Sequence, residues 1–159
     1  MRLVPISCVI AVLAAPPAAA VAGQGHGSHA AAVMGFDQDQ TSHHFFIYPD
    51  GGAIEVSAKQ VADSRNRDAI RTHLPHVAAM FGSGNFSAPM LIHDSENVPG
   101  ATILAARKDA IRYRYSETPA GGRVNIHTTD RDALDALHAF LRFQIAEHKT
   151  GDSTTVQPR

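Results

Sequence analysis

Two stretches of this chain share one pattern, and any fold must accommodate both. The first runs Arg67-Asp68-Ala69-Ile70-Arg71-Thr72-His73-Leu74-Pro75-His76-Val77-Ala78-Ala79-Met80-Phe81. The second runs Arg131-Asp132-Ala133-Leu134-Asp135-Ala136-Leu137-His138-Ala139-Phe140-Leu141. In the first, Ile70, Leu74, Val77 and Phe81 recur at i, i+4, i+7 and i+11, the spacing of an apolar helical stripe. Each stretch follows a hairpin signal. His43 to Tyr48 reads as a strand, Pro49-Asp50-Gly51-Gly52 as a turn, and Ala53 to Ser57 as the returning strand. Ile111 to Tyr115, Pro119-Ala120-Gly121-Gly122 and Arg123 to His127 repeat the arrangement. The expected fold is α+β: two strand-strand-helix units form a four-stranded antiparallel sheet with helices packed on one face. Aligning the helices as an internal repeat pairs Leu74 with His138, an imidazole where the other copy has a core leucine.

Local signals set the boundaries. Asp63 or Ser64 caps the first helix, and Pro75 should kink it by freeing the carbonyl of Arg71. Gly84 to Gly100 reads as a long connection, and Pro99 to Asp109 as a shorter helix burying Ile103 and Leu104. Thr129 is the expected cap of the last helix, with Asp132 at the capping-box position.

Residues 1–22 carry the pattern of a secretory signal peptide. Arg2 precedes an apolar run too short to span a bilayer, and Ala20-Val21-Ala22 offers a small-x-small cleavage site. Residues 23–41 are expected to be a flexible, histidine-containing lead. Residues 42–150 would form the single domain, and residues 151–159 a disordered tail. Cleavage removes Arg2 from the 14 basic residues, leaving 13 against 15 acidic ones. That balance, without a basic patch, argues against nucleic acid. No other segment has the length for stable membrane insertion after cleavage. The expected location is the periplasm; oligomeric state is not legible.

The candidate chemistry is imidazole and thioether. The single cysteine, Cys8, falls in the signal peptide, while all ten histidines follow it. Exported imidazole and thioether ligands without thiolate point to copper first and zinc second. The candidate metal ligands are His43, His73, His76, Met80, Met90, His93 and His138. Within them, His73, His76 and Met80 lie on one flank of the helix. His138 would need an internal partner, for which Tyr113, Tyr115, His43, a metal or a ligand are candidates. Haem fits less well, because His73 and Met80 share one side of one helix. The expected role is handling or sensing of a metal ion. Alternatives are a small-molecule binding or protein-interaction module without metal, and a small enzyme using a His, carboxylate and Arg site. For the enzyme, His93-Asp94, or His127 with Arg112, Arg114 and Glu117, would supply acid-base groups and an anion clamp. No nucleotide-binding loop or nucleophile elbow is present.

The series Met34-Gly35-Phe36-Asp37, His43-His44-Phe45, Gly51-Gly52-Ala53-Ile54, His73-Leu74-Pro75-His76, Met80-Phe81, Gly84-Asn85-Phe86, Ala88-Pro89-Met90 and Phe140-Leu141-Arg142-Phe143-Gln144-Ile145 resembles a family of small exported bacterial proteins of unknown function. The resemblance covers about Met34 to Asp152 and implies a periplasmic location. It brings no activity and no site residues. A carbamoyltransferase is excluded by the small single domain and by the lack of a Ser-x-Arg-Thr-Arg phosphate motif.

Overall fold

The computed structural model describes residues 34–93 and 97–159. The signal-peptide segment, most of the lead, and the His26 and His29 within it lie outside the described residues. Strands β1 (Thr41–Tyr48) and β2 (Gly51–Ala58) form a hairpin, followed by helix α1 (Ser64–Gly82). Two short helices come next, α2 (Ser87–Ile92) and α3 (Ala101–Ala106). The second hairpin, β3 (Ile111–Thr118) and β4 (Gly121–Thr128), is followed by α4 (Arg131–His148). The four strands form one antiparallel sheet in the order β1-β2-β4-β3.

The alternation in each strand decides which face is buried. Phe45, Ile54, Val124 and Tyr115 stand opposite one another across the sheet, with Ile47, Ile126 and Tyr113 on the same side. This is the face the helices cover. Each helix crosses away from its own hairpin: α1 lies chiefly over β3 and β4, and α4 over β1 and β2. Neither hairpin-helix unit therefore closes a core alone. Ile70, Leu74 and Phe81 of α1 meet Leu137, Phe140 and Leu141 of α4 in one shared core.

Two glycines set how closely the helices approach. A methyl group on Gly52 of β2 would overlap the Leu141 side chain of α4 and the Phe46 carbonyl. A methyl on Gly122 of β4 would come within 2.6 Å of the Tyr115 ring and 3.1 Å of Leu74 of α1. The glycines expected as turn residues thus act as seats for helix leucines. The turn itself is Pro49-Asp50, with Tyr48 and Gly51 paired on either side.

Helix ends follow local chemistry. Asp63 caps α1, its side chain accepting from Asn66 N–H, and the helix continues through Pro75. The cap of α4 is Asp130, not Thr129, because the Asp130 carboxylate accepts from Ala133 N–H. Of the pair expected to be buried in the short third helix, Leu104 is buried but Ile103 is 46 % exposed.

Both ends of the described chain are tied down. Met34 and Phe36, in the stretch expected to be flexible, are core residues, and Asp37 N–H donates to the Asn66 side chain. Residues 151–159, expected to be a disordered tail, run along the free edge of β1. Asp152 accepts from Phe45 N–H at 2.8 Å and pairs with His44 at 2.9 Å, and Gln157 N–H donates to Ile47 C=O at 2.8 Å. The tail occupies backbone groups that an edge strand otherwise leaves open. No described helix is long and apolar enough to cross a membrane.

Because overpacking against a rigid sheet costs about 1–3 kcal/mol, Gly52→Ala should destabilise the protein by that order. Urea unfolding would register it as a lower midpoint at unchanged slope; an unchanged midpoint would mean that Leu141 is free to move aside.

Candidate functional site

The helix crossing opens a cleft over the β1–β2 half of the sheet. Its walls are apolar: Phe45, Ile54 and Val56 from the sheet, Leu74 and Phe81 from α1, and Phe140 from α4. Met34 and Phe36 close one side, and Ala88, Pro89 and Ile92 of α2 close another. The space is about 580 Å³ counting its mouth, and narrow within.

Four imidazoles meet there, each from a different part of the chain. His43 comes from β1, His73 from α1, His93 from the end of α2, and His148 from the last turn of α4. His43 and His148 are stacked, with ring centroids 5.2 Å apart and planes 24° apart. His93 meets His148 edge-on at 5.1 Å. Phe36 stands 5.8 Å from His43 and 5.6 Å from His73. Strand alternation makes the His43 position inevitable: it shares the inner face with Phe45 and Ile47, while His44 faces outward to Asp152.

Among the described residues lining the cleft there is no carboxylate, although Glu147 comes within 3.8 Å of His93 Nδ1. Burial, reinforced by repulsion from His148, His73 and His44, pushes the His43 imidazole down to about 3. Burial and His93 push His148 down to about 4, and burial with His76 lowers His73. All three are therefore neutral near pH 7, with a lone pair on one ring nitrogen. Their rings make no hydrogen bond among the described residues. The fourth ring is held: His93 Nε2–H donates to the Gln144 side-chain oxygen at 3.2 Å. Gln144 is itself buried, and its amide nitrogen has no partner among the described residues. Neutral imidazoles without counter-charges can ligate a transition metal or accept a hydrogen bond.

Of the seven expected ligands, His43, His73 and His93 come together here. His76, Met80, Met90 and His138 do not. Of the expected grouping, His76 turns away from the cleft, and Met80, although on the flank of His73, lies about two turns further along the helix. At roughly 100° per residue, His73 sits about 60° from the centre of the apolar stripe and His76 about 120° from it. His76 is exposed and bonds back to Thr72 C=O at 2.7 Å. Met80 and Met90 pack against the core outside the cleft.

His138 is a core histidine with a structural partner. Its Nε2 lies 2.9 Å from Tyr48 C=O and 3.2 Å from Gly51 C=O. Carbonyls only accept, so Nε2 carries the hydrogen, and the ring clamps the β1–β2 turn from beneath. Tyr113 and Tyr115, expected as its neighbours, lie over the other half of the sheet with unpaired hydroxyls among the described residues. The residues missed were His148, Gln144 and Met34. Helical spacing from Leu141 and Ile145 placed His148 on the buried face of its helix. Met34 and Phe36 signalled burial only by being large apolar residues in a polar lead.

As found, no three of His, Cys, Asp or Glu among the described residues are grouped closely enough to hold one metal ion. Comparison with protein-family models, with characterised proteins and with solved structures gave no match.

Two tests follow from these environments. Stability arising from the neutral state of His43 and His148 is complete above their ordinary value of 6.5. It is lost as pH falls toward about 4 and about 3, because the unfolded chain binds protons there first. Urea midpoints should fall steadily on acidification below about pH 6.5, and less steeply in His43→Phe; parallel profiles would refute the assignment. His138→Leu should cost about 1–3 kcal/mol through loss of the turn clamp. It should leave any ligand binding in the cleft unchanged.

Proposed function

We propose that this is an exported metal-binding protein that captures copper in the histidine cleft, for handling or sensing of the ion. The observation that carries the reading is the meeting of His43, His73, His93 and His148, from four separate elements, in a cleft whose other described lining residues are apolar apart from Gln144. Cu(I) suits such a donor set: it prefers neutral and soft ligands, accepts low coordination numbers, and tolerates an apolar surround. His43 and His148 would be the first ligands, with His73, His93 or the Met34 thioether completing the shell after ring rotation. Zinc is the weaker match, since it favours a closed shell of four ligands. Export to the periplasm rests on the pattern of residues 1–22 and on the family resemblance.

A second reading draws on the apolar walls. A small, largely apolar molecule carrying one or two polar atoms would suit the cleft without any metal. Its polar atoms would meet the free imidazole nitrogens and the unpaired Gln144 amide.

One experiment separates the two. The purified protein is exposed to Cu(I) under reducing conditions, and separately to Cu(II) and Zn(II), then desalted and assayed for metal. The copper reading expects about one Cu(I) per chain, lost in His43→Ala and His148→Ala but kept in His138→Leu. Absence of retained metal in all three cases would overturn it. Binding of an apolar fluorescent probe that is abolished by a bulky Ala88→Trp substitution would then favour the small molecule.

A further inference from the structure

We propose that the outer face of β3 and β4 is a second binding site, for a small ligand bearing more than one oxyanion, such as a diphosphate or polycarboxylate group. The site is separate from the histidine cleft, because Arg112, Arg114, Asn125 and His127 alternate with the inward-facing Tyr113 and Ile126. Arg112 stands opposite His127, and Arg114 opposite Asn125. These four side chains, with Asp50 and Arg159, line an open hollow of about 770 Å³.

The hollow is a donor surface. Neither Arg112 nor Arg114 has an ion-pair partner among the described residues, and both are exposed. Glu117 cannot serve them, because it lies on the inner face and pairs with Arg71 at 3.0 Å. The Asn125 side-chain oxygen is taken by Arg123 Nε–H at 3.1 Å, which leaves its amide N–H groups for a ligand. Asp50 is the only carboxylate side chain lining the hollow among the described residues, and both its oxygens are engaged. Arg159 Nε–H donates to one at 2.9 Å, and His127 Nδ1 lies 3.2 Å from the other. Two guanidiniums without an ion-pair partner among the described residues and an amide donor therefore face the hollow together.

The spacing selects the ligand. Residues i and i+2 on one strand face are about 7 Å apart, so two forked guanidiniums can each grip a different anionic group of one molecule. Charges on an edge strand also discourage strand addition. That role alone would require neither the oriented amide of Asn125 nor a carboxylate held on both oxygens.

The test titrates the purified protein with inorganic pyrophosphate at low ionic strength, followed by NMR of backbone amides and arginine side chains. Saturable shifts should map to Arg112, Arg114, Asn125 and His127, and weaken with added salt. The double variant Arg112→Gln/Arg114→Gln, checked for retained fold by circular dichroism, should bind at least about tenfold more weakly. The two single variants serve if the double variant unfolds. A parallel arm sediments the protein with phosphatidylglycerol or phosphatidylcholine vesicles. Arginine-dependent binding to the anionic vesicles without a pyrophosphate response would assign the site to a lipid headgroup. A pyrophosphate response without vesicle binding would assign it to a free anion. Absence of both responses, or equal binding by the arginine variants, would overturn the proposal.

Discussion

The inner face of a four-stranded antiparallel sheet must be kept from water, and this chain has two long helices with which to do it. Everything else follows from how they are laid down. Each helix covers the other unit's hairpin, so the two halves are joined through one core and neither can be stable alone. Gly52 and Gly122 permit the approach by leaving room for Leu141 and Leu74. Where the helices diverge, a cleft remains, and the segments that would otherwise be loose are drawn in to close it. Met34 and Phe36 are buried because they fill that gap, although their neighbours in sequence are polar.

Strand and helix were legible because each leaves a period in the sequence. The alternation in Ile111-Arg112-Tyr113-Arg114-Tyr115 and the stripe of Ile70, Leu74, Val77 and Phe81 both read through directly to the observed faces. Crossing of the helices leaves no such period. Without it, His138 looks like the odd member of a repeat and hence a site residue. With it, His138 falls beneath a turn and His148 falls beside His43. The sequence-level error at His138 was therefore one of placement: the side chain needed a partner, as expected, and found two backbone carbonyls. The packed tail was illegible for a related reason. Its attachment is made by Asp152 and by backbone groups, and backbone hydrogen bonds carry no residue signature.

The sheet's two edges are treated differently, and that difference divides the surface. The β1 edge is closed by the tail, whose last residue reaches Asp50 and lays its guanidinium 4.9 Å from the Tyr48 ring. The β3 edge has no backbone partner among the described residues and carries Arg112 and Arg114 instead. Because Arg159 and His127 together consume Asp50, the closing of one edge also removes the acceptor that would have quenched the charge at the other. The tail thus bears on the electrostatics of the outer face as well as on the stability of β1.

The fully buried His138 and the half-buried histidines of the cleft carry different physical meaning. His138 loses water but gains two carbonyls, so its burial is compensated and the fold itself explains it. His43, His73 and His148 lose much of their water and gain no hydrogen bond among the described residues. All three are half-buried, and none of their ring nitrogens is a sealed, unpaired polar atom. Leucine or phenylalanine at these positions would fill the same space without a polar group to solvate. The apolar contacts of the cleft do not by themselves require imidazole at these positions. His43, His73 and His148, lowered in basicity and gathered from three elements, make a lone-pair-rich pocket, which is the condition the proposed soft cation needs.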